Sequence, residues 1–201
     1  MMMDNFLNRT EQHDNVAISY VDGILKKYGF VSYRIGTEYD AKNLSLSLKE
    51  QSDEISIMLR FRPDAVIIKK GLFSILCEIK TESGKYKNFA IEIDSFKAAL
   101  IWERIAVKSV AFIFMDIKAV SAVAIWANQL PPPECIYISQ RFDFAKQIER
   151  INLMFPLVKV KSVIYNNGSG TPYMLVPKDY EYFIELEEFI VEKLITKNLC
   201  P

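Results

Sequence analysis

Two apolar runs near the middle of the chain constrain its fold more than any other feature. Residues 109–116 and 119–127 are each as long as a strand and carry almost no charged side chains. Continuous apolar runs of this length are typical of strands that are covered on both faces. The sequence therefore predicts a central sheet with further elements packed on each side of it.

Helical and strand periodicities surround these runs. One helix is predicted over 10–28, capped by Thr10, and a second over 96–106, capped by Asp94 or Ser95. Strands are predicted over 30–36, 43–48, 54–61, both arms of a hairpin at 62–80, and 89–93. In two of these segments, 43–48 and 54–61, apolar and polar residues alternate strictly, which is typical of half-buried strands.

Prolines at 131–133 mark the best candidate for a boundary in the chain. We expect a core over 1–130 and a C-terminal α/β extension over 131–201, packed together as one domain. The extension is predicted to contain strands at 135–139, 157–164 and 173–176, helices at 141–152 and 179–195, and a turn at 166–170. The last helix is acidic and amphipathic, so its apolar face packs either on the core or against a second copy of the chain. Helices and strands in this order predict a mixed α/β fold.

Composition limits the class of protein. A chain of 201 residues that is 50% apolar is long enough to bury one domain core. Three cysteines, Cys77, Cys135 and Cys200, are too few for a disulfide scaffold. The N-terminal segment lacks the pattern of a signal peptide, and no apolar run is long enough to span a membrane. We therefore expect a soluble protein of the reducing cytoplasm.

The single histidine excludes several kinds of active site. His13 would have to combine with all three scattered cysteines to form a four-ligand zinc site, and no paired spacing supports this. No nucleophile motif accompanies it, so a Ser-His-Asp or Cys-His site is not expected, and an exposed histidine on the first helix is the plainer interpretation. The charges balance at 25 basic and 25 acidic residues, so binding to nucleic acid would require a local basic patch.

The hairpin at 62–80 carries the most informative residues. Asp64 enters its first strand, while Glu78 and Lys80 lie near the end of the second and share one face of it. With a tight turn between the strands, Asp64 lies opposite a residue between 76 and 78, which brings two carboxylates and a lysine together in an apolar segment. Paired carboxylates suit a divalent cation of the Mg²⁺ class. The plainer interpretation is that Asp64 is a turn residue and that Glu78 and Lys80 form a solvated strand end.

This arrangement resembles the PD-(D/E)xK nuclease superfamily. Pro63 and Asp64 match the first half of the motif, and residues 78–80, Glu-Ile-Lys, match the second half. The resemblance implies hydrolysis of a DNA phosphodiester bond that depends on a bound metal ion.

Residues 10–116 also resemble archaeal-type Holliday junction resolvases. That family begins with a helix that ends in Gly-Phe, here Gly29-Phe30, and continues with a strand that contains arginine, here Arg34. A metal-binding hairpin, a short strand, a helix and an apolar strand follow in the same order. The resemblance implies a restriction-endonuclease-like fold, with a mixed central sheet flanked by helices, to which this chain adds its C-terminal α/β extension.

The resemblance assigns roles to the hairpin residues. It implies that Asp64, Glu78 and the backbone carbonyl of Ile79 bind Mg²⁺, for which Mn²⁺ would substitute, and that Lys80 is the catalytic lysine. One or two such cations activate water and polarise a phosphoryl oxygen, so no histidine is needed. A fixed positive charge on Lys80 would stabilise the charge that develops on the phosphate.

A third acidic ligand is less sharply defined. The family takes it from the first helix, at a position that corresponds to Ile18 in this chain. One turn earlier, Asp14 lies on the same helix face and is the favoured candidate. Glu11 and Asp22 are the alternatives on the helix, and Glu38 is a competing candidate from the next strand.

Basic residues near the hairpin are candidates for contacts with DNA phosphates. These are Arg60, Arg62, Lys85 and Lys87. Lys69 and Lys70 are equally well explained as ordinary turn lysines. Four tyrosines of the extension either stack on bases or pack within the protein: Tyr165, Tyr173, Tyr180 and Tyr182.

Together these features predict a Mg²⁺-dependent deoxyribonuclease that acts on structured DNA such as junctions, flaps or ends. By the family resemblance it acts as a homodimer. No nucleotide cofactor is expected, since residues 168–172 lack the lysine and helix of a phosphate-binding loop. The alternative is a non-catalytic module on the same fold that binds nucleic acid or protein. A third interpretation is a structural assembly protein built on the last helix.

Overall fold

The computed structural model describes residues 2–35, 53–70, 73–82, 85–106, 109–139, 144–158, 160–166 and 172–196. Its first half contains α1 (Met2–Lys27), β1 (Val31–Arg34), α2 (Glu54–Arg60), β2 (Ala65–Lys69), β3 (Phe73–Glu82), β4 (Asn88–Glu92), α3 (Ile93–Ala106), β5 (Val110–Asp116) and β6 (Ser121–Trp126). After a 3₁₀ turn at Ala127–Gln129 come β7 (Cys135–Ser139), α4 (Phe144–Met154), β8 (Ser162–Asn166), β9 (Tyr173–Pro177), β10 (Ile184–Glu185) and α5 (Leu186–Phe189), which continues as a π-helix over Ile190–Thr196.

Two sheets organise these elements. Within the described ranges, six strands form the central sheet in the order β1-β2-β3-β5-β6-β10, and four strands form a second sheet in the order β4-β9-β7-β8. The central sheet is mixed, because β3 and β5 run parallel while its other neighbouring strands are antiparallel. The predicted α/β class, with a mixed central sheet flanked by helices, is confirmed.

Both faces of the central sheet are buried. One face packs on α1 and α5 in what we call the α1 core, whose buried members include Ala17, Val21, Leu25, Ile67, Cys77, Ile113 and Phe189. The other face packs on α3 and the second sheet in the α3 core, whose buried members include Phe89, Ile91, Phe96, Phe112, Phe114, Ile136 and Val176. The apolar run of β5 follows from this arrangement, because residues 110–115 are all buried and alternate between the two cores.

The end of the first helix is observed where the sequence predicts it. Gly29 adopts a left-handed conformation with a φ of 78°, and the backbone N–H of Phe30 donates to the Leu25 carbonyl at 3.0 Å. This is a Schellman arrangement, which favours glycine because glycine lacks a Cβ. It turns the chain from α1 into β1 and buries Phe30. The helix begins earlier than predicted, at Met2, so Thr10 is not its cap.

The prediction of a strand over 54–61 is wrong, because this segment forms α2. Asp53 caps the helix by accepting a hydrogen bond from the backbone N–H of Ser56 at 3.0 Å. Ile57 and Phe61, four residues apart, pack on the α3 core, whereas Ile55 is 66% exposed. A spacing of four satisfies helical and alternating patterns alike, so the capping residue and the tertiary contacts decide the structure here.

The predicted helix over 179–195 starts too early. β10 adds an edge strand beside β6, and helical structure begins only after it, in α5. Phe183 packs in the α3 core, with its ring centroid 5.0 Å from that of Phe89, whereas Phe189 packs in the α1 core, 4.7 Å from Trp126. One straight helix cannot reach both faces of a sheet. The apolar stripe of this segment therefore packs inside the chain.

Several predicted features are not tested by this structure. The strand predicted at 43–48 and most of the turn at 166–170 lie outside the described residues. The division into 1–130 and 131–201 stays a prediction, and β4 from the first part pairs with β9 from the second. Among the helices in the described ranges, none has both the length and the apolar character needed to cross a membrane.

Candidate active site

The β2–β3 hairpin determines how the acidic residues of this region face one another. Ala65 pairs with Cys77 in an antiparallel register. The next pair in that register is Asp64 and Glu78, and directly opposite residues of an antiparallel pair share a face of the sheet. Asp64 itself precedes β2, and this continuation of the register agrees with the predicted location opposite a residue between 76 and 78.

Glu78 and Lys80 form a largely buried ion pair on that face. The Lys80 ammonium lies 2.6 Å from Glu78 Oε1, and the side chains of Lys80 and Glu78 are 27% and 10% exposed. On the neighbouring strand β5, Phe112 and Phe114 are in register with Glu78 and Lys80, and both rings are buried. The two charges thus lie where water is largely excluded and electrostatic interactions are stronger than in bulk solvent. This burial does not fit a solvated strand end.

Asp64 is held by the backbone of β3. Its Oδ2 accepts a hydrogen bond from the backbone N–H of Ile79 at 2.7 Å, and its carbonyl oxygen accepts one from the N–H of Ile35 at 2.9 Å. The N–H and C=O of one strand residue point to the same side of the strand, so the Ile79 carbonyl also lies on the Asp64 side of β3. Asp64, Glu78 and the Ile79 carbonyl therefore lie in the same region at the end of the hairpin, where the charges of both carboxylates act on Lys80.

This donor set is the kind that a hard divalent cation takes. Mg²⁺ prefers oxygen ligands and is commonly held by one or two carboxylates while it keeps several of its waters. Across the residues that the structure describes, no group of three or more His, Cys, Asp or Glu side chains is arranged to hold a metal ion. Asp64, Glu78 and the Ile79 carbonyl supply two carboxylates and one carbonyl, a donor set that suits a hard cation with waters in its remaining positions.

Glu92 adds a third acidic charge near Lys80, although no motif in the sequence marks this residue. Burial by itself lowers the pKa of the Lys80 ammonium, but the charges of Glu78, Asp64 and Glu92 raise it above its ordinary value. Lys80 consequently stays charged at neutral pH. The alternation of residues 89–93 could have placed Glu92 on the sheet face away from the buried residues of β4. No local pattern shows that β4 passes near the hairpin.

The sequence candidates for a third acidic ligand lie in different parts of the chain. Glu38 lies outside the described residues, as do the side chains of Glu11 and Asp14, although α1 includes both positions. Asp22 accepts a hydrogen bond from the hydroxyl of Ser32 in β1. That contact joins α1 to β1 and gives Asp22 a structural role.

The candidate phosphate-binding residues differ in accessibility. Lys85 and Lys87 are exposed in the segment between β3 and β4. Arg60 ends α2 instead of lying on a strand, and its guanidinium is 4.6 Å from the centre of the Phe61 ring. Arg62 is half-buried between α2 and β2. The two lysines are therefore the most accessible of the four.

A buried ion pair lies next to Glu92 in the chain. Asp94 belongs to the first turn of α3, instead of capping the helix as predicted, and it is 1% exposed. Its Oδ2 lies 3.0 Å from Nη2 of Arg150 in α4. Burial raises the pKa of the Asp94 carboxyl, an effect that Arg150 and Arg60 oppose. The pair joins α3 to α4 and fixes the junction that carries Glu92.

Replacing Arg150 with methionine should destabilise the protein strongly. The change leaves Arg60 as the remaining arginine near the buried Asp94 carboxylate, and breaking a buried ion pair costs about 3–5 kcal/mol. Because burial raises the pKa of Asp94 in the folded protein, its charged form is the one that opposes folding. The decrease in the free energy of unfolding should therefore be largest at neutral pH and become smaller as the pH falls through that raised pKa. Urea unfolding at neutral and mildly acidic pH measures both effects.

Arg104→Met is the matched control for this change. Arg104 forms an ion pair with Glu54, and the side chains are 64% and 50% exposed. Exposed pairs of this kind contribute about 0–1 kcal/mol. Equal losses of stability in Arg150→Met and Arg104→Met would contradict the structural role of the Asp94–Arg150 pair.

The fold was compared with those of known proteins. It is similar to the structure of Hjc, a Holliday junction resolvase from the archaeal hyperthermophile Archaeoglobus fulgidus, with a TM-score of 0.46 and 11% sequence identity over 89% of this chain and 97% of the resolvase. No protein-family model and no curated protein matches the sequence. Similarity at this level does not assign a family or an activity, so the function follows from the residues of the site.

Proposed function

We propose that this protein is a metal-dependent nuclease that hydrolyses phosphodiester bonds in structured DNA, such as junctions, flaps or ends. One observation carries the proposal: the register of the hairpin, continued by one residue, brings Asp64 opposite Glu78, and the Lys80 ammonium lies 2.6 Å from Glu78. Charges in a largely buried position oppose folding unless they are paired or bind a ligand. A cation between two carboxylates, with a fixed positive charge beside it, suits hydrolysis of a phosphate ester.

The proposed cofactor is Mg²⁺, with Mn²⁺ as a substitute, and no nucleotide cofactor is required. Asp64, Glu78 and the Ile79 carbonyl would hold the cation. When bound, such a cation lowers the pKa of a ligated water and neutralises charge on phosphoryl oxygens. The hydrogen bond from the Ile79 N–H fixes the orientation of the Asp64 carboxylate. Lys80 holds Glu78 in the same way when the cation is absent.

Lys80 supplies a positive charge that does not change near neutral pH. Although burial lowers its pKa, the charges of Glu78, Asp64 and Glu92 raise it further, so Lys80 carries a fixed positive charge in the metal-free protein. We assign it the role of a catalytic residue that stabilises charge developing on the scissile phosphate. Glu92 is then a positioning residue, because it acts on the phosphate through Lys80.

Phosphates on either side of the cut would be bound by Lys85 and Lys87, with Arg60 and Arg62 as more buried candidates. The chain has zero net charge, so such contacts have to come from a local patch. A homodimer, in which two sites make paired cuts, and a cytoplasmic location remain parts of the proposal.

Cleavage of a panel of labelled DNAs tests the proposal. The panel contains a four-way junction, a flap, a nicked duplex, a blunt duplex and a single strand, each with Mg²⁺, Mn²⁺ or EDTA. We expect cleavage of at least one structured DNA with either metal and no cleavage with EDTA. Glu187→Gln is the matched control, since it removes an acidic charge that pairs with Lys27 on the α1-core side of the sheet.

The alternative is a module on the same fold that binds nucleic acid or protein without cutting. It would be supported if the folded protein bound DNAs of the panel but cleaved none of them with either metal. Calorimetry with Mn²⁺ separates the two functions. A nuclease should give heat of binding that Asp64→Asn removes, whereas the module should give none.

For the third acidic residue, we expect Asp14→Asn to slow cleavage by about 10- to 100-fold. Asp22 lies level with Ser32, because the two side chains are hydrogen-bonded. Ile35 lies beside Asp64, because the Ile35 N–H donates to the Asp64 carbonyl. The chain from Ser32 to Ile35 spans about 10 Å, at about 3.3 Å per residue. The antiparallel α1 covers that distance in about seven residues. Position 14 or 15 of α1 thus reaches the level of Asp64 along the strand. Because α1 packs on the face of the sheet opposite Glu78 and Lys80, Asp14 would approach the cation around the end of β2.

The comparison needs three further variants, Glu11→Gln, Asp22→Asn and Glu38→Gln, measured at saturating Mg²⁺. Asp22→Asn should have the smallest effect on the rate, since Asp22 is bound to Ser32. If Glu38→Gln were inactive and Asp14→Asn were not, the third acid would come from the segment after β1, and the helix assignment would be wrong.

A further inference from the structure

We propose that the cleft beside Lys80 binds an unpaired nucleotide of the strand that is cut, so that the preferred substrate carries single-stranded nucleotides next to the cleavage site. The inference rests on the nuclease function proposed above. The cleft has a volume of about 570 Å³, within the range of about 300–1,000 Å³ for small-ligand pockets. Lys80 is one of its lining residues, whereas Asp64 and Glu78 are not, so an occupant of the cleft would meet the candidate active site at Lys80.

Aromatic rings form much of the cleft. Phe89 and Phe114 are buried parts of its lining, stacked with ring centroids 4.4 Å apart. Tyr173 lines it from β9 and is itself stacked on Tyr137, with 5.2 Å between centroids and 12° between ring planes. Tyr86 lines it from the segment before β4 and is 70% exposed. Burial raises the pKa of the Tyr173 hydroxyl, and so do Tyr137 and Tyr86, because the three phenols are close together.

An exposed tyrosine ring beside a catalytic centre offers a surface on which a base can stack. Stacking on aromatic side chains is the main way in which proteins bind unpaired bases, and it tolerates any sequence because every base has a flat face. A base within an intact duplex is already stacked on its neighbours and has to leave the helix before it can use such a surface. Tyr86 therefore fits a substrate with unpaired nucleotides better than a continuous duplex.

Charged and polar groups of the cleft suit a nucleotide chain. Lys80 and Lys87 supply positive charge for phosphates, and the Asn88 amide can both donate to and accept from the edge of a base. Glu82 also lines the cleft, but it is paired with Lys178. Lys178 also pairs with Asp116 at 3.2 Å, so it offsets only part of the negative charge of these two carboxylates.

Binding of labelled DNA to the Asp64→Asn variant tests the inference without cleavage. Fluorescence anisotropy compares a blunt duplex with the same duplex bearing a short single-stranded deoxyribonucleotide flap. We expect the flapped duplex to bind about 5- to 150-fold more tightly, the range that stacking of one base supplies. Adding Tyr86→Ala should abolish this preference, whereas Tyr86→Phe, which keeps the ring, should retain it. Tyr182→Ala should also retain it, since Tyr182 is 43% exposed and is not among the cleft residues.

Equal affinity for the blunt and flapped duplexes, or a preference that survives Tyr86→Ala, would overturn the inference. Displacement of the flap by an equal concentration of free deoxynucleoside monophosphate would assign the cleft to a free nucleotide instead. Tighter binding of a ribonucleotide flap would assign it to RNA. Both results would overturn the assignment to a DNA strand.

Cleavage distinguishes this inference from the proposed function. A protein that cuts structured DNA with Mg²⁺ but shows no preference dependent on Tyr86 is a nuclease without this cleft specificity. A protein that shows the preference but cuts no DNA with Mg²⁺ or Mn²⁺ has the cleft specificity without the nuclease activity.

Discussion

Asp64→Asn and Glu78→Gln should each reduce DNA cleavage by about 10³-fold or more, since a catalytic cation contributes several kcal/mol to transition-state stabilisation. Each change keeps the shape of the side chain and removes the negative charge that a hard cation requires. Asp64 directly precedes β2 and Glu78 lies on β3, so neither carboxylate can take the place of the other. Initial cleavage rates at saturating Mg²⁺, together with calorimetric titration by Mn²⁺, measure the loss.

Without metal, the two variants should differ in stability. In Asp64→Asn the amide oxygen still accepts the hydrogen bond from the Ile79 N–H, and repulsion with Glu78 is relieved, so stability should stay the same or rise. Glu78→Gln loses the 2.6 Å ion pair with Lys80, and we expect a loss of about 1–3 kcal/mol. Urea unfolding in EDTA measures both changes.

One control variant and one contradicting result apply to these predicted losses of cleavage activity. Glu187→Gln changes the same type of side chain on the other side of the sheet and should cleave normally. Cleavage at the wild-type rate by Asp64→Asn or Glu78→Gln, in protein shown to be folded, would end the nuclease proposal.

Lys80→Ala should lower the cleavage rate by about 10²–10³-fold, the loss expected when one fixed charge at a transition state is removed. Binding of DNA should be retained. Binding of Mn²⁺ should be as tight as in the wild type or tighter, because the ammonium that lies 2.6 Å from Glu78 no longer competes with the cation. Single-turnover cleavage, anisotropy and calorimetry measure the three quantities separately.

Two further variants make the test of Lys80 more specific. Lys80→Met removes the charge but keeps the apolar stem beside the buried rings of β5, so it separates loss of charge from loss of packing. Lys27→Ala removes a lysine whose side chain is 60% exposed and pairs with Glu187, and it should cleave normally. Normal cleavage by Lys80→Ala, or failure of that variant to bind Mn²⁺, would contradict the assigned role.

The central elements could be predicted because local patterns define them. The apolar runs of β5 and β6 predict strands covered on both faces, and the structure buries β5 along almost its whole length. A short connection fixes the register of the β2–β3 hairpin to within a residue or two, and alternation then puts Glu78 and Lys80 on one face. Asp64, Glu78 and Lys80 could therefore be brought together before any tertiary contact was known.

Other predictions failed where a local pattern admits two structures. Ile57 and Phe61 satisfy both a strand and a helix, and the capping bond from Asp53 together with packing on the α3 core selects α2. The last segment has the periodicity of one long helix, but Phe183 and Phe189 pack on opposite faces of the central sheet. Periodicity shows which apolar residues become buried. The faces of the sheet on which they can pack determine where the chain bends.

The sequence by itself determined the α/β class, the central apolar strands and the hairpin that unites the two carboxylates with Lys80, because each depends on residues close together in the chain. Only the tertiary structure decided that Glu92 lies near Lys80, since β4 is held in place by β9 from the far end of the chain. The same pairing forms the cleft in which Tyr86 and Tyr173 meet. Contacts of this kind join segments that share no local pattern, and they form only when two sheets pack on one helix and bury a common core.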